Sequence, residues 1–271
     1  MRISRGGTCV VLAALSIGGF MVSRGGVHAF LLLLASPVSA QTNDITVLCS
    51  NGFKAVMEQL APQFERTSHR KVAVRYDLAA NLKREIESGQ AFDVAILTPT
   101  AIDDLIKAGK TAADSRTVLA RSGLGIAIRA GAAKPDISTV DAFKRSLRAA
   151  KGIVYAREGA SGVAFVGIVE RIGLAADIKS QMRPLATGEE VADAVVKGDA
   201  QFAVLPVSEI QPIRGAQLLG AFPADIQSYI VMVAVAGTNA RDGRAARDLI
   251  VFLNAPSSTP VVTAKGMERP K

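Results

Sequence analysis

The feature that most constrains this chain is a repeated alternation between short apolar runs and amphipathic stretches. The runs ITVLC (45–49), KVAVRYD (71–77), DVAIL (93–97), LGIAIRA (124–130), GIVYA (152–156), FAVLPV (202–207), GAQLLGAF (215–222) and YIVMVAVAG (229–237) read as strands. Between them lie segments with helical spacing. In GFKAVMEQLAPQFERTS, Phe53, Val56, Met57, Leu60 and Phe64 share one face; in NLKREIESGQ, Leu82 and Ile86 do. Strand and helix alternating almost throughout predict an α/β fold with largely parallel sheets flanked by helices. Tryptophan is absent and aromatic residues make up 5% of the chain, so the core must be aliphatic. A chain of 271 residues is long enough for one large domain or two small ones.

The first 40 residues predict an export signal. FLLLLASPVSA ends in Val38-Ser39-Ala40 before Gln41, a small-x-small cleavage pattern. A shorter signal starting at Met21, with Arg24 as its basic start, is expected, and residues 1–20 would then be an upstream extension. A retained membrane anchor is the rival reading, but neither apolar stretch reaches the ~20 residues a span requires. The mature chain is thus expected in the periplasm, with 29 basic and 24 acidic residues and a net charge of +5. These charges are spread out. There is no basic stripe with interleaved aromatics, which argues against a nucleic-acid partner. Cys49 remains without a second cysteine and His69 is the single histidine left, which argues against disulfides, histidine triads and histidine-rich metal sites. No G-x-S-x-G or H-E-x-x-H motif occurs. The expectation is a binding protein with no catalytic residues, no metal and no cofactor. The rivals are a periplasmic enzyme working through Asp77 and Glu158, and a ligand sensor.

In parallel sheets, ligands gather where strands end and helices begin. Three such junctions carry small, polar residues: Ser50-Asn51-Gly52, the stretch from Asp77 to Asn81 that includes Ala80, and Arg157 to Gly162 with Ser161. Each exposes the first N–H groups of a helix, a natural site for an anion. Plain helix capping is the alternative for any one of them. Arg157 would favour a carboxylate if it entered the cleft, and Asp77 and Glu158 would oppose an anion there.

The chain also resembles the molybdate-binding-protein-like group of extracytoplasmic solute-binding proteins. The resemblance rests on ITVLCSNGFKAVMEQLAPQFE, on KVAVRYDLAANLKREIESGQAFDVAIL, on AIDDLIKAGK, on GEEVADAVVKGDAQFAVLPVSEI and on the closing ARDLIVFLNAPSSTPVVTAKGM. It implies a monomer of two α/β lobes joined by two crossover strands, residues 43–123 plus 228–271 and residues 124–227, with a small molecule or oxyanion held between them. It further implies an ABC permease and its ATPase as partners, and ligand-facing positions at Val191 and Pro206 besides the three junctions. The sequence departs from that group at its ligand loops. Its serine slots fall at Gly52 and at Ala79 or Ala80, and Pro206 replaces a tyrosine, so a small organic anion is as good a candidate as molybdate.

Overall fold

The computed structural model describes residues 44–270, and the expected export signal lies outside them. Strand β1 (Ile45–Ser50) leads through a 3-10 turn into α1 (Lys54–Ser68), followed by β2 (Val72–Asp77), α2 (Ala79–Glu87), β3 (Val94–Leu97), α3 (Pro99–Lys107) and the 13-residue β4 (Thr117–Arg129). Then come α4 (Val140–Arg148), β5 (Ile153–Ala156), α5 (Ala160–Arg171), α6 (Ala175–Ile178), β6 (Met182–Leu185), α7 (Gly188–Lys197), β7 (Phe202–Pro206), α8 (Val207–Ile210) and β8 (Ala216–Ala221). The chain closes with β9 (Tyr229–Ala236), α9 (Gly243–Asn254) and α10 (Thr259–Ala264). Among the described residues, no helix is long and apolar enough to cross a membrane.

The strands line up in the order β2-β1-β3-β9-β4-β7-β5-β6, with β8 also on β4. At one end β2, β1 and β3 are parallel; at the other, β7, β5 and β6 are. The antiparallel pairings all involve β4 or β9. Strand β4 belongs to both ends: Thr117 to Gly123 pair with β9, and from Leu124 onward it pairs with β7 and β8. The fold is therefore two helix-flanked sheet halves sharing one strand, in keeping with the α/β expectation.

The apolar runs are unbroken because both faces of each half are covered. Along β1, Val47 and Cys49 pack toward Val56, Met57, Leu60 and Phe64 of α1, while Leu48 packs with Leu82 and Ile86 of α2 and Ile102 of α3. In the second half, Ile153 and Tyr155 join Phe165 and Ile168 of α5, whereas Val154 and Ala156 join Val191 and Val195 of α7. This is the two-residue repeat of a strand, used on both sides.

Two strand segments lie outside the sequence expectation. The first half of β4 carries Arg121 and Ser122. Arg121 pairs with Glu268 at 2.8 Å and lies over the Tyr229 ring at 4.3 Å, so its charge never enters the core. Strand β6, MRPL, contains Pro184, but it is the last strand of the sheet, where a missing N–H leaves no partner unpaired.

Helix α5 lies against the end of β5. A Cβ on Gly162 would sit 2.0 Å from the Ala156 carbonyl oxygen, while one on Gly167, in the same helix, would meet nothing within 4 Å. Gly162→Ala should therefore cost about 2–3 kcal/mol or more, since backbone would have to move. Gly167→Ala should gain about 0.5–1 kcal/mol from helix propensity. Urea unfolding of the two variants checks this contrast.

Candidate functional site

Each strand-to-helix junction supplies groups near the plane where the two halves meet. After β1, Ser50 is extended (φ −60°, ψ 140°) before the chain turns into α1. Ser50 keeps 7% of its surface, its hydroxyl caps no helix, and it has no hydrogen-bond partner among the described residues. After β5, Gly159 is the extended residue, and Ser161 sits in the first turn of α5 with 5% of its surface left. Its hydroxyl is likewise unpartnered among the described residues. Capping accounts for other hydroxyls and carboxylates: Thr139, Thr187 and Asp242 each accept from an N–H of their own helix. Both hydroxyl oxygens keep some solvent contact, so they stand open to the cavity with hydrogen-bonding capacity that the protein does not use.

Ser50, Asn51, Ser161, Gly188, Pro206 and Glu209 wall one cavity of about 20 Å³, room for about one water. Asn51, Gly188, Leu205 and Glu209 also wall an adjoining groove of about 320 Å³ that carries Lys54 and Glu58 of α1 and Glu189 of α7. On the other side, Ala79, Ala160 and Ile230 are shared between the cavity and a groove of about 530 Å³. The cavity is thus a narrow waist between two wider openings.

Glu209 stands at that waist. It is partly buried, and its oxygens sit against glycines of both halves: a Cβ on Gly188 would lie 3.4 Å from Oε2, and one on Gly52 3.6 Å from Oε1. Neither oxygen has a hydrogen-bond or ion-pair partner among the described residues. Burial pushes its carboxyl up from the ordinary 4.5 to about 7.

The expected site residues separate clearly. Ser50, Asn51, Ser161 and Pro206 share the cavity. Gly52 lies just behind it, with its carbonyl accepting from the Ser208 hydroxyl at 3.1 Å; a Cβ there would fall 2.6 Å from Met232 Cε. Gly162 is used for the packing of α5 on β5. Ala80 lines the 530 Å³ groove instead. Asn81 is engaged elsewhere: it donates to Asp77 at 2.8 Å and accepts from Arg84. Arg84 in turn bonds Glu158 at 3.0 Å, an exposed bridge between the two halves. Asp77 also accepts from the Leu78 N–H at 2.6 Å, so it closes its own turn. Arg157 is exposed, and its N–H donates to the Leu185 carbonyl in sheet pairing. Val191 is fully buried with Ala194, Val195 and Leu205 in the core. Sequence reasoning missed Gly188 and Glu209. The available signal was an acid three residues beyond the end of β7, at the carboxyl end of a strand.

A two-half α/β fold whose helix starts converge on one cavity defines a small-ligand cleft protein. The chain belongs to the family of bacterial extracellular solute-binding proteins, whose pattern it matches over residues 45–268. It is 29% identical over 247 residues to a protein named aconitate isomerase from Pseudomonas sp, covering 88% of this chain and 90% of that one. It is 26% identical over 240 residues to the molybdate-binding protein ModA of Azotobacter vinelandii, covering 84% and 91%. The solved periplasmic molybdate-binding protein of Azotobacter vinelandii superposes with a TM-score of 0.72 at 18% identity, covering 84% of this chain and all of that one. The resemblance to molybdate-binding-like proteins is thereby established at the level of family and fold. The expectation that the chain is not an enzyme is corrected by the relative named as an isomerase, which is similar along nearly the full length of both chains.

The raised carboxyl of Glu209 has a consequence for stability. Its charged form is disfavoured in the folded chain, so the penalty is absent below about pH 4.5 and grows as pH rises through 7. Glu209→Gln should therefore stabilise the protein progressively between pH 5 and pH 8, by up to about 3 kcal/mol at the upper end. Denaturant unfolding at both pH values tests this; a difference that stays constant with pH would contradict the assigned burial.

Proposed function

We propose that this chain captures a small organic polycarboxylate of the aconitate kind between two lobes, residues 43–123 with 228–271 and residues 124–227. It would do so in the periplasm, after removal of an export signal. Delivery to an ABC permease and its ATPase belongs to the same reading.

One arrangement carries the proposal. The hydroxyls of two largely buried residues, Ser50 and Ser161, have no partner among the described residues and come from opposite halves into one cavity, which adjoins a groove of ligand-pocket size, about 320 Å³. One carboxylate suits the hydroxyls and the N–H groups at the start of α5. The rest of a six-carbon acid suits the size of the groove, where Lys54, which shares it with the acids Glu58 and Glu189, offers a counter-charge. The similarity to the protein named aconitate isomerase fits this division. A compact oxyanion is the second reading, favoured by the neutral donors and by the molybdate-binding relative. It would contact the hydroxyls alone, in a cavity that must widen beyond the size of one water to admit it, leaving the larger groove and Lys54 unused. Ligand binding on both lobes would draw them together by its greater affinity for the approached state.

Thermal-shift titration decides between the readings. With trans-aconitate at 100 times its Kd, the protein should gain about 2.7 kcal/mol. Ser50→Ala and Ser161→Ala should each weaken that binding roughly 5- to 30-fold while changing unliganded stability little, because neither hydroxyl holds a partner within the protein. A response to molybdate or sulfate, with none to di- and tricarboxylates, would overturn the proposal in favour of the oxyanion.

A further inference from the structure

We propose that Glu209 is the acid–base residue of this cleft, moving a proton between two carbons of a bound alkenyl polycarboxylate and so shifting its double bond. This rests on the reading of the cleft as a polycarboxylate site.

The placement of Glu209 carries the inference. It lines both the hydroxyl cavity and the 320 Å³ groove, so a ligand extending from one to the other must pass it. Its carboxylate oxygens lie close to Gly52 and Gly188, neither of which has a side chain to fill the space beside them. No side chain among the described residues holds it by hydrogen bond or ion pair, unlike Asp93, which binds Arg241 at 3.2 Å, or Asp77, which closes its own turn. The charged groups sharing its groove are Lys54 and Glu58 from α1 and Glu189 from α7. A carboxyl placed beside an anion site is a handicap to binding alone. It is an asset if the ligand's chemistry needs a proton carrier.

The chemistry follows from the ligand class. In an acid with a carbon–carbon double bond beside a methylene that bears a carboxylate, the methylene hydrogens are the most readily removed on carbon. Ionised Glu209 takes one. The electron pair of the broken C–H bond spreads over the three allylic carbons and into the adjoining carboxylate, whose added charge the Ser50 and Ser161 hydroxyls and the N–H groups of α5 can meet. Glu209, now protonated, returns a proton to the far allylic carbon. One C–H bond breaks, one forms, and the double bond has moved. Nothing is oxidised or reduced, and no co-reactant is consumed. In aconitate the product has the same connectivity, with its geometry free to be cis or trans. A proton carrier works best when its own pKa lies near the working pH, and burial places Glu209 at about 7.

The test uses the purified full chain, with trans-aconitate as probe, in three measurements. Calorimetry reports binding, proton NMR in D2O reports exchange of the methylene hydrogens, and ultraviolet absorbance reports isomerisation. Wild-type protein should bind, exchange and isomerise. Glu209→Gln should bind within about 5-fold of wild type while exchange and turnover fall at least 100-fold. The wild-type kcat/KM should rise with pH along a limb centred near 7. Absence of binding by wild-type protein overturns the polycarboxylate reading itself. Binding with neither exchange nor isomerisation, or a folded Glu209→Gln variant that still isomerises, overturns the role of Glu209 and leaves the cleft reading standing. If the variant does not fold, the pH profile decides, and a rate flat from pH 5 to 9 overturns the role.

Discussion

The geometry of the cleft depends on how the chain crosses between its two sheet halves. It crosses twice, at Gly123–Leu124 and at Gln227–Ser228, and the crossings lie side by side with the Leu124 N–H donating to the Ser228 carbonyl at 3.1 Å. The Gln227 side chain ties them. Its oxygen accepts from the Leu124 N–H at 2.8 Å and the Ser228 N–H at 2.9 Å, and its nitrogen donates to the carbonyls of Leu124 at 3.1 Å and Phe222 at 3.3 Å. Gly123 leaves room for this amide, since a Cβ there would lie 3.0 Å from Gln227 Nε2. With the crossings pinned, the ends of β1, β5 and β7 fall close enough for Ser50, Ser161 and Glu209 to meet around a space the size of one water. The polar contacts of Ser208 with Gly52 and Ser122, each at 3.1 Å, reinforce the same alignment.

Much of the fold was legible because burial on both faces of a sheet writes unbroken apolar runs, and amphipathic helices write a period near 3.6. What escaped was structure whose residues look wrong in isolation. Pro184 is tolerated only because β6 is an edge, and Arg121 only because Glu268 and Tyr229 receive it. Neither fact is local in sequence. Strand β4 shows the same thing on a larger scale: its second half is apolar and obvious, while its first half is a strand because β9 lies beside it.

The site was legible in part for a related reason. A serine or asparagine at a strand's end advertises a donor, and Ser50, Asn51 and Ser161 do share a cavity. The sequence alone does not say which of several similar junctions turns inward. Asn81 and Arg157 belong to the same kind of junction, yet Asn81 is consumed by Asp77 and Arg84, and Arg157 is exposed beside a sheet pairing. Glu209 was hidden by the opposite effect. In the text PVSEI it reads as an ordinary polar residue after a strand, and only its burial in the folded chain, with Gly52 and Gly188 brought close from elsewhere, raises its carboxyl.

The bridge from Arg84 to Glu158 joins the halves at the rim, in view of solvent, with 60% and 53% of the two side chains exposed. An ion pair in that setting is worth under about 1 kcal/mol, and dissolved salt weakens it over a screening length of about 8 Å at physiological strength. Such a fastener is worth a factor of about five at most in any equilibrium that breaks it. Dilute surroundings would tighten the rim slightly, and brine would slacken it.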